Sequence, residues 1–114
     1  MAFSDLELKL IDNEVGGLCR NLNQPEYKDE LSIEYRIDKH DVVIFERRPA
    51  YNQPNETVEI PVAKFKYFRT KHEWRLLWMR GDLKWHSYNP LSSCESLSDL
   101  VAEVKSDPYG CFWG

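Results

Sequence analysis

Apolar residues recur at three- and four-residue intervals through Leu6, Leu10, Ile11, Val15, Leu18 and Leu22, the single stripe of a helix predicted over residues 4–22. Ser4 and Glu7 have the spacing of a capping box, in which each side chain accepts from the other's free backbone amide. Gly16-Gly17 interrupts the pattern at a cost of about 1 kcal/mol per glycine relative to alanine, so either the helix bends there or another backbone approaches closely. Residues 21–30, with Pro25, read as a polar connection. From Leu31 the period becomes two: Leu31, Ile33, Tyr35 and Ile37 alternate with polar residues, the pattern of a half-buried strand. A tight turn at residues 38–41 leads to a second strand, Val42 to Pro49, whose Val-Val-Ile-Phe run implies burial on both faces. Residues Ala50 to Glu59, rich in Asn and Pro, read as a longer loop. A third strand from Ile60 to Thr70, a fourth from Trp74 to Arg80 and a short fifth from Leu83 to Tyr88 follow, with turns at Lys71-His72 and Arg80-Gly81-Asp82. Beyond Pro90 a second helix starts near Ser96, which has Asp99 at capping distance. Leu97, Leu100, Val101 and Val104 form its stripe, and Asp107-Pro108 stops it. Phe112-Trp113 predicts a tail docked onto the sheet.

These elements define an α+β class: a four- to five-stranded antiparallel meander flanked in sequence by an N-terminal and a C-terminal helix, in one domain spanning residues 1–114. Short connections suit antiparallel pairing, because parallel pairing needs long crossovers. Two helices sharing one sheet face leave the other face for function. On the third strand Lys64, Lys66 and Phe68 share one face while Phe65, Tyr67 and Arg69 share the other. Most rings are thus expected in the core and the lysines outside it.

Composition alters this picture in three ways. Aromatics make up 13% of the chain, so rings fill much of the core. Cys19, Cys94 and Cys111 are odd in number with no Cys-x-x-Cys spacing, which predicts free thiols in a reducing compartment. With no apolar run of the ~20 residues a membrane span needs and no signal peptide in the acidic, polar N-terminus, the expected location is cytoplasmic. Charge is uneven. Between Lys64 and His86 seven bases face only Glu73 and Asp82, in a chain whose net charge is −4. An acidic body is a poor non-specific nucleic-acid binder, yet a basic strip on it can recognise a particular anionic partner.

Four motifs carry a resemblance. Phe45-Glu46-x-Arg48-Pro49, Pro61-x-Ala63-Lys64, Lys84-Trp85-His86-x-Tyr88 and Phe112-Trp113-Gly114 resemble the pattern of a small bacterial family of unknown function, over nearly the whole chain. The resemblance implies a compact bacterial single-domain protein and no assigned catalytic residues.

Several constellations are candidates for chemistry. Glu46 and Arg48 with Lys64 on the neighbouring strand would suit an anion pocket or a cross-strand ion-pair ladder. His86 alternates with Trp85, so one of the two is core and the other exposed, and local sequence places no nucleophile beside the imidazole. His40 and His72 with Asp38, Asp41 and Glu73 match no metal-ligand spacing. Asp82-x-Lys84 with Glu7 and Glu14 faintly matches the carboxylate-lysine arrangement of metal-dependent nucleases, although Asp is expected in a turn beside glycine. The leading reading is a non-enzymatic binding or accessory domain. It engages an acidic protein or anionic ligand through a basic sheet face, with Glu46, Arg48, Lys64, Lys66 and His86 as binding residues. No catalytic residue, metal or cofactor is assigned. Single-stranded nucleic-acid binding by the same strands and a small hydrolase or nuclease are the alternatives. No membrane partner is expected, and self-association through the exposed face or a sheet edge is open.

Overall fold

The computed structural model describes residues 3–23, 31–50 and 52–113. In chain order they form α1 (Asp5–Ile11), a π-helical turn (Asp12–Gly16), α2 (Gly17–Leu22), β1 (Ser32–Asp38), β2 (Asp41–Ala50), β3 (Gln53–Phe68), β4 (Glu73–Met79), β5 (Trp85–Ser87), β6 (Ser93–Cys94) and α3 (Leu97–Ser106). The strands pair antiparallel in the order β1-β2-β3-β4-β5, with β6 added to β4 beside β5. The fold is the expected α+β meander between two helical segments. Most of the predicted connection over residues 21–30 lies outside the described residues.

The first helix begins as its sequence dictates. The Ser4 hydroxyl accepts from the Glu7 amide at 3.2 Å, and the Glu7 carboxylate accepts from the Ser4 amide at 2.8 Å. Its course differs from the single expected helix, because a π-helical turn ends at Gly16. That glycine is buried where Tyr35 of β1 crosses, and a Cβ there would lie 3.1 Å from Tyr35 Cε1 and 2.8 Å from Asp12 Oδ1. Tyr35 donates to Asp12 Oδ1 at 2.9 Å, and Arg20 donates to the same oxygen at 3.3 Å, closing a polar network over the close approach. The π-turn advances the chain by one residue and shifts the helical phase. Ile11, Val15, Leu18 and Cys19 reach the core, whereas Leu6 (81% exposed), Leu10 and Leu22 do not, which corrects half of the predicted stripe. Phe3, which no periodicity marks, supplies the missing contact by stacking on Trp74 at 5.7 Å between ring centres.

One sheet face and the helices enclose the core. Ile33, Val42, Ile44, Ala63, Phe65, Trp74 and Leu76 pack with Ile11, Val15, Leu18, Leu100, Val101 and Val104. Ser96 precedes α3, yet its hydroxyl bonds Ser98 Oγ and caps no backbone amide, so the predicted Ser96–Asp99 cap does not form. Asp107 ends the helix in the left-handed region at φ 42° and accepts from the amides of Phe112 and Trp113. The expected docking onto the sheet is corrected in its target: the tail docks onto α3 and onto Tyr88, just past β5. Phe112 lies 4.9 Å from the Tyr88 ring, and Trp113 Nε1 donates to the Val104 carbonyl at 2.8 Å.

The expected loop over residues 50–59 is a correction too. β2 continues through Ala50 and β3 starts at Gln53, with Arg47 opposite Glu59, Arg48 opposite Val58 and Pro49 opposite Thr57. β1 pairs only as far as Arg47 and β4 only as far as Ala63, so this end of the hairpin is a two-stranded ribbon. Proline is tolerated there because each strand has one partner and an outer edge that needs no donor. Among the described helices, none is long and apolar enough to cross a membrane.

Candidate functional site

Strand register decides which side chains meet. Pairs Asp41–Lys66, Val43–Lys64, Lys64–Leu77, Lys66–Arg75, Leu77–Ser87 and Met79–Trp85 all lie on the face away from the helices. The predicted split of β3 therefore holds: Lys64, Lys66 and Phe68 face outward, and Phe65 and Tyr67 face the core. Glu46 pairs with the core residue Ile33, so Glu46 and Arg48 belong to the opposite face and bond each other there. His86 pairs with Trp78 and also lies on the helix-side face. The five predicted binding residues do not form one site: Lys64 and Lys66 come together on the open face, Glu46 and Arg48 pair with each other on the helix-side face, and His86 stands apart from both pairs.

The open face is not uniformly basic. Within its paired strands Arg36, Arg47, Lys64, Lys66 and Arg75 stand among Glu34, Asp38, Asp41, Glu59 and Glu73, so the carboxylates from neighbouring strands balance the cations. Arg36 and Arg47 both bond Glu59, and Arg75 bonds Glu73 at 2.8 Å. Glu59 is held below the usual carboxylate range by the Arg47 and Arg36 guanidinium groups. These cations also cover rings. Arg36 and Arg47 sit 4.3 and 5.6 Å from the centre of Phe45, which is 4% exposed yet outside the core cluster. Arg75 covers Phe68 at 4.0 Å, and Lys64 Nζ stands 5.0 Å over Trp85.

One position departs from this balance. Lys64 and Lys66 approach a single carboxylate, Asp41, at 4.0 and 3.7 Å. Two ammonium groups share one negative charge beside a half-buried strip of Val43, Leu77, Met79 and Trp85. Trp85 and His86 are both half-buried, so the expectation that one is core and the other exposed resolves into two partly covered residues on opposite faces.

On the helix side, where β4 and β5 pass the C-terminal tail, a cleft of about 270 Å³ is lined by Trp78, Arg80, His86, Asn89, Pro90 and Cys111. Arg80 stands 5.5 Å over the Trp78 ring. His86 Nε2 lies 2.9 Å from Asp82 Oδ2, and the Lys84 amide donates to Asp82 Oδ1 at 3.0 Å. The bond from His86, then that from the Lys84 amide, hold the Asp82 carboxyl below its usual range, with Arg80 adding the smallest contribution. The sequence reading counts Arg80 only as one base of the Lys64–His86 segment, because its distinction is the lack of a partner. Six of the seven arginines contact a carboxylate, and Arg80 alone contacts none among the described residues.

The remaining candidates disperse. His40 turns inward, edge-on to Phe3 at 5.9 Å, while His72 is exposed, and no group of three His, Cys, Asp or Glu could hold a metal among the described residues. Glu7 is held by Arg69, before the start of β4, and Asp82 lies beyond its end, so the suggested nuclease carboxylates do not converge. Burial raises the Cys19 thiol to about 11 and also raises that of Cys111, the opposite of an activated nucleophile.

Helices on one face of an antiparallel sheet, with the other face amphipathic, make this a small helix-backed, open-sheet α+β domain. The chain belongs to the family described as a domain of unknown function (DUF3024), whose model matches residues 3–114. No curated protein and no solved structure matches the chain.

Proposed function

We propose that this is a cytoplasmic, bacterial, non-enzymatic binding domain, and that its open sheet face receives an acidic segment of a protein partner. The shared carboxylate carries the proposal: Lys64 and Lys66 have only Asp41 at contact distance between them, beside Trp85 and Leu77. A partner carboxylate placed between the two ammonium groups completes the pairing, and an apolar neighbour on the partner covers the strip. An apolar centre framed by ion pairs has the anatomy of a protein interface, where Trp, Met and Arg are favoured. Single-stranded nucleic acid suits the face less, since five carboxylates among the cations oppose a phosphate backbone.

The test is an NMR titration of the chain with a peptide of alternating Glu and Leu and with its Lys and Leu counterpart. The acidic peptide should shift the Lys64 and Lys66 amides and the Trp85 indole. Lys64→Glu with Lys66→Glu should weaken it on the order of tenfold. Equal binding of the basic peptide, or shifts confined to the helix side, would refute the proposal.

A further inference from the structure

The cleft beside Arg80 is on the opposite sheet face and owes nothing to the lysine pair. Its walls join a flat apolar surface to one uncommitted cation. The indole of Trp78 supports the Arg80 guanidinium from below, which orients a planar, weakly hydrated cation at little further entropic cost. The nearest acid in sequence, Asp82, bonds His86 and the Lys84 amide and makes no ion pair with Arg80. The Arg80 backbone is fixed as well, with its amide bonded to the Lys84 carbonyl at 3.2 Å and its own carbonyl accepting from Leu83 at 2.9 Å. An oriented guanidinium with free N–H edges on the lip of a cavity is a receptor for a planar two-oxygen anion, which it can engage with two parallel hydrogen bonds. The cavity of about 270 Å³ falls just under the ~300 Å³ at which small-molecule sites begin, so the ligand is small. Pro90 and the Trp78 ring offer its body apolar contact, and the Asn89 amide lies at the rim.

We infer that this cleft binds a small organic carboxylate with a flat apolar body, clamped at its carboxylate by Arg80. His86 serves as a positioned wall, its ring held by Asp82.

Benzoate is the probe, with benzamide as its neutral isostere and inorganic phosphate as the competing anion. In an NMR titration of the full chain, benzoate should shift the Trp78 indole N–H and the Arg80 Nε–H saturably, while benzamide should leave both in place. Arg80→Gln should weaken benzoate by roughly tenfold or more, with only a small drop in melting temperature, because the contact with Trp78 is lost but no carboxylate partner is. Arg80→Lys, which keeps the charge and loses the fork, should fall between the two. Benzamide binding as well as benzoate, or Arg80→Gln binding as well as the natural chain, would overturn the assignment. Phosphate displacing benzoate at equal concentration would overturn the carboxylate class.

Discussion

Tyr88→Phe removes a single hydroxyl from a fully buried position and leaves the ring in place against Phe112. The lost group donates to Glu103 Oε2 at 2.7 Å, the bond that ties the end of β5 to α3. A hydrogen bond to a charged group contributes about 1.5–3 kcal/mol. Glu103 is only half-buried, so water recovers part of the loss, and the expected destabilisation is about 1.5–2 kcal/mol. For a chain of this size that is a drop in Tm of roughly 6–10 °C. The variant should also change the response to alkali. Burial first, and the bond to Glu103 second, push the Tyr88 hydroxyl far above its ordinary value of 10.0. A group raised on folding gives its full stabilisation below its unfolded value and loses it as pH rises toward the folded one. The natural chain should therefore lose stability above pH ~10 more steeply than Tyr88→Phe. Urea unfolding followed by tryptophan fluorescence at pH 7, 9, 10 and 11 measures both effects. A variant within ~0.5 kcal/mol of the natural chain at pH 7, or one with the same alkaline slope, would refute the role given to this hydroxyl.

The two adjacent glycines should respond in opposite directions. Gly16→Ala forces a Cβ against Asp12 Oδ1 and Tyr35 Cε1 and should cost about 1–3 kcal/mol, whereas Gly17→Ala meets nothing within 4 Å and should stabilise by up to ~1 kcal/mol, both read from urea midpoints. Glu7 is held below its usual range by the Arg69 side chain first and the Ser4 amide second. Its stabilisation is present above its unfolded value and fades as pH falls through the folded one, so Glu7→Gln, which can still cap, should lose about 0.5 kcal/mol at pH 7 and converge with the natural chain near pH 3 in acid titrations. Phe45→Ala empties the ring site beneath Arg36 and Arg47 and should cost about 3 kcal/mol or more by thermal melting, although the residue lies outside the main core.

Local chemistry was legible in the sequence. The Ser4–Glu7 box, the period-two pattern of β1, the β3 parity and the Asp107 stop each rest on neighbours a few residues apart. What escaped depends on partners distant in the chain. The π-turn answers Tyr35 crossing at Gly16, so the leucine stripe could not reveal that Leu6 and Leu10 would miss the core. Pro49 and Asn52 imitate a loop because proline is excluded from strands only where the ladder continues on both sides, and here it does not. The basic segment looked uncompensated because Asp41 reaches Lys64 and Lys66 from β2 through register, and Glu7 reaches Arg69 from α1. Arg80 was one base among seven for the converse reason, since six paired arginines must be known before the seventh stands out.

That pairing narrows where this chain can meet an anion. A guanidinium already joined to its own carboxylate must give up that bond to take another, so most exposed paired cations add little to binding. Lys9, Lys39, Lys71, Lys84 and Lys105 are exposed and unpaired among the described residues, but each is a strongly hydrated point charge on a flexible stem, seated over no ring that would orient it. Two positions set surplus charge over an aromatic ring: the lysine pair beside Trp85 and Arg80 above Trp78. Leu77 and Trp78, consecutive on β4, point to the two different faces. Residues with no shared partner contribute independently. Combining Arg80→Gln with Lys64→Glu and Lys66→Glu should therefore leave the acidic-peptide affinity of the lysine variant and the benzoate affinity of the arginine variant each unchanged. A combined variant that loses more for either ligand than its parent would mean that β4 couples the faces, and that the cleft and the open sheet act as one site.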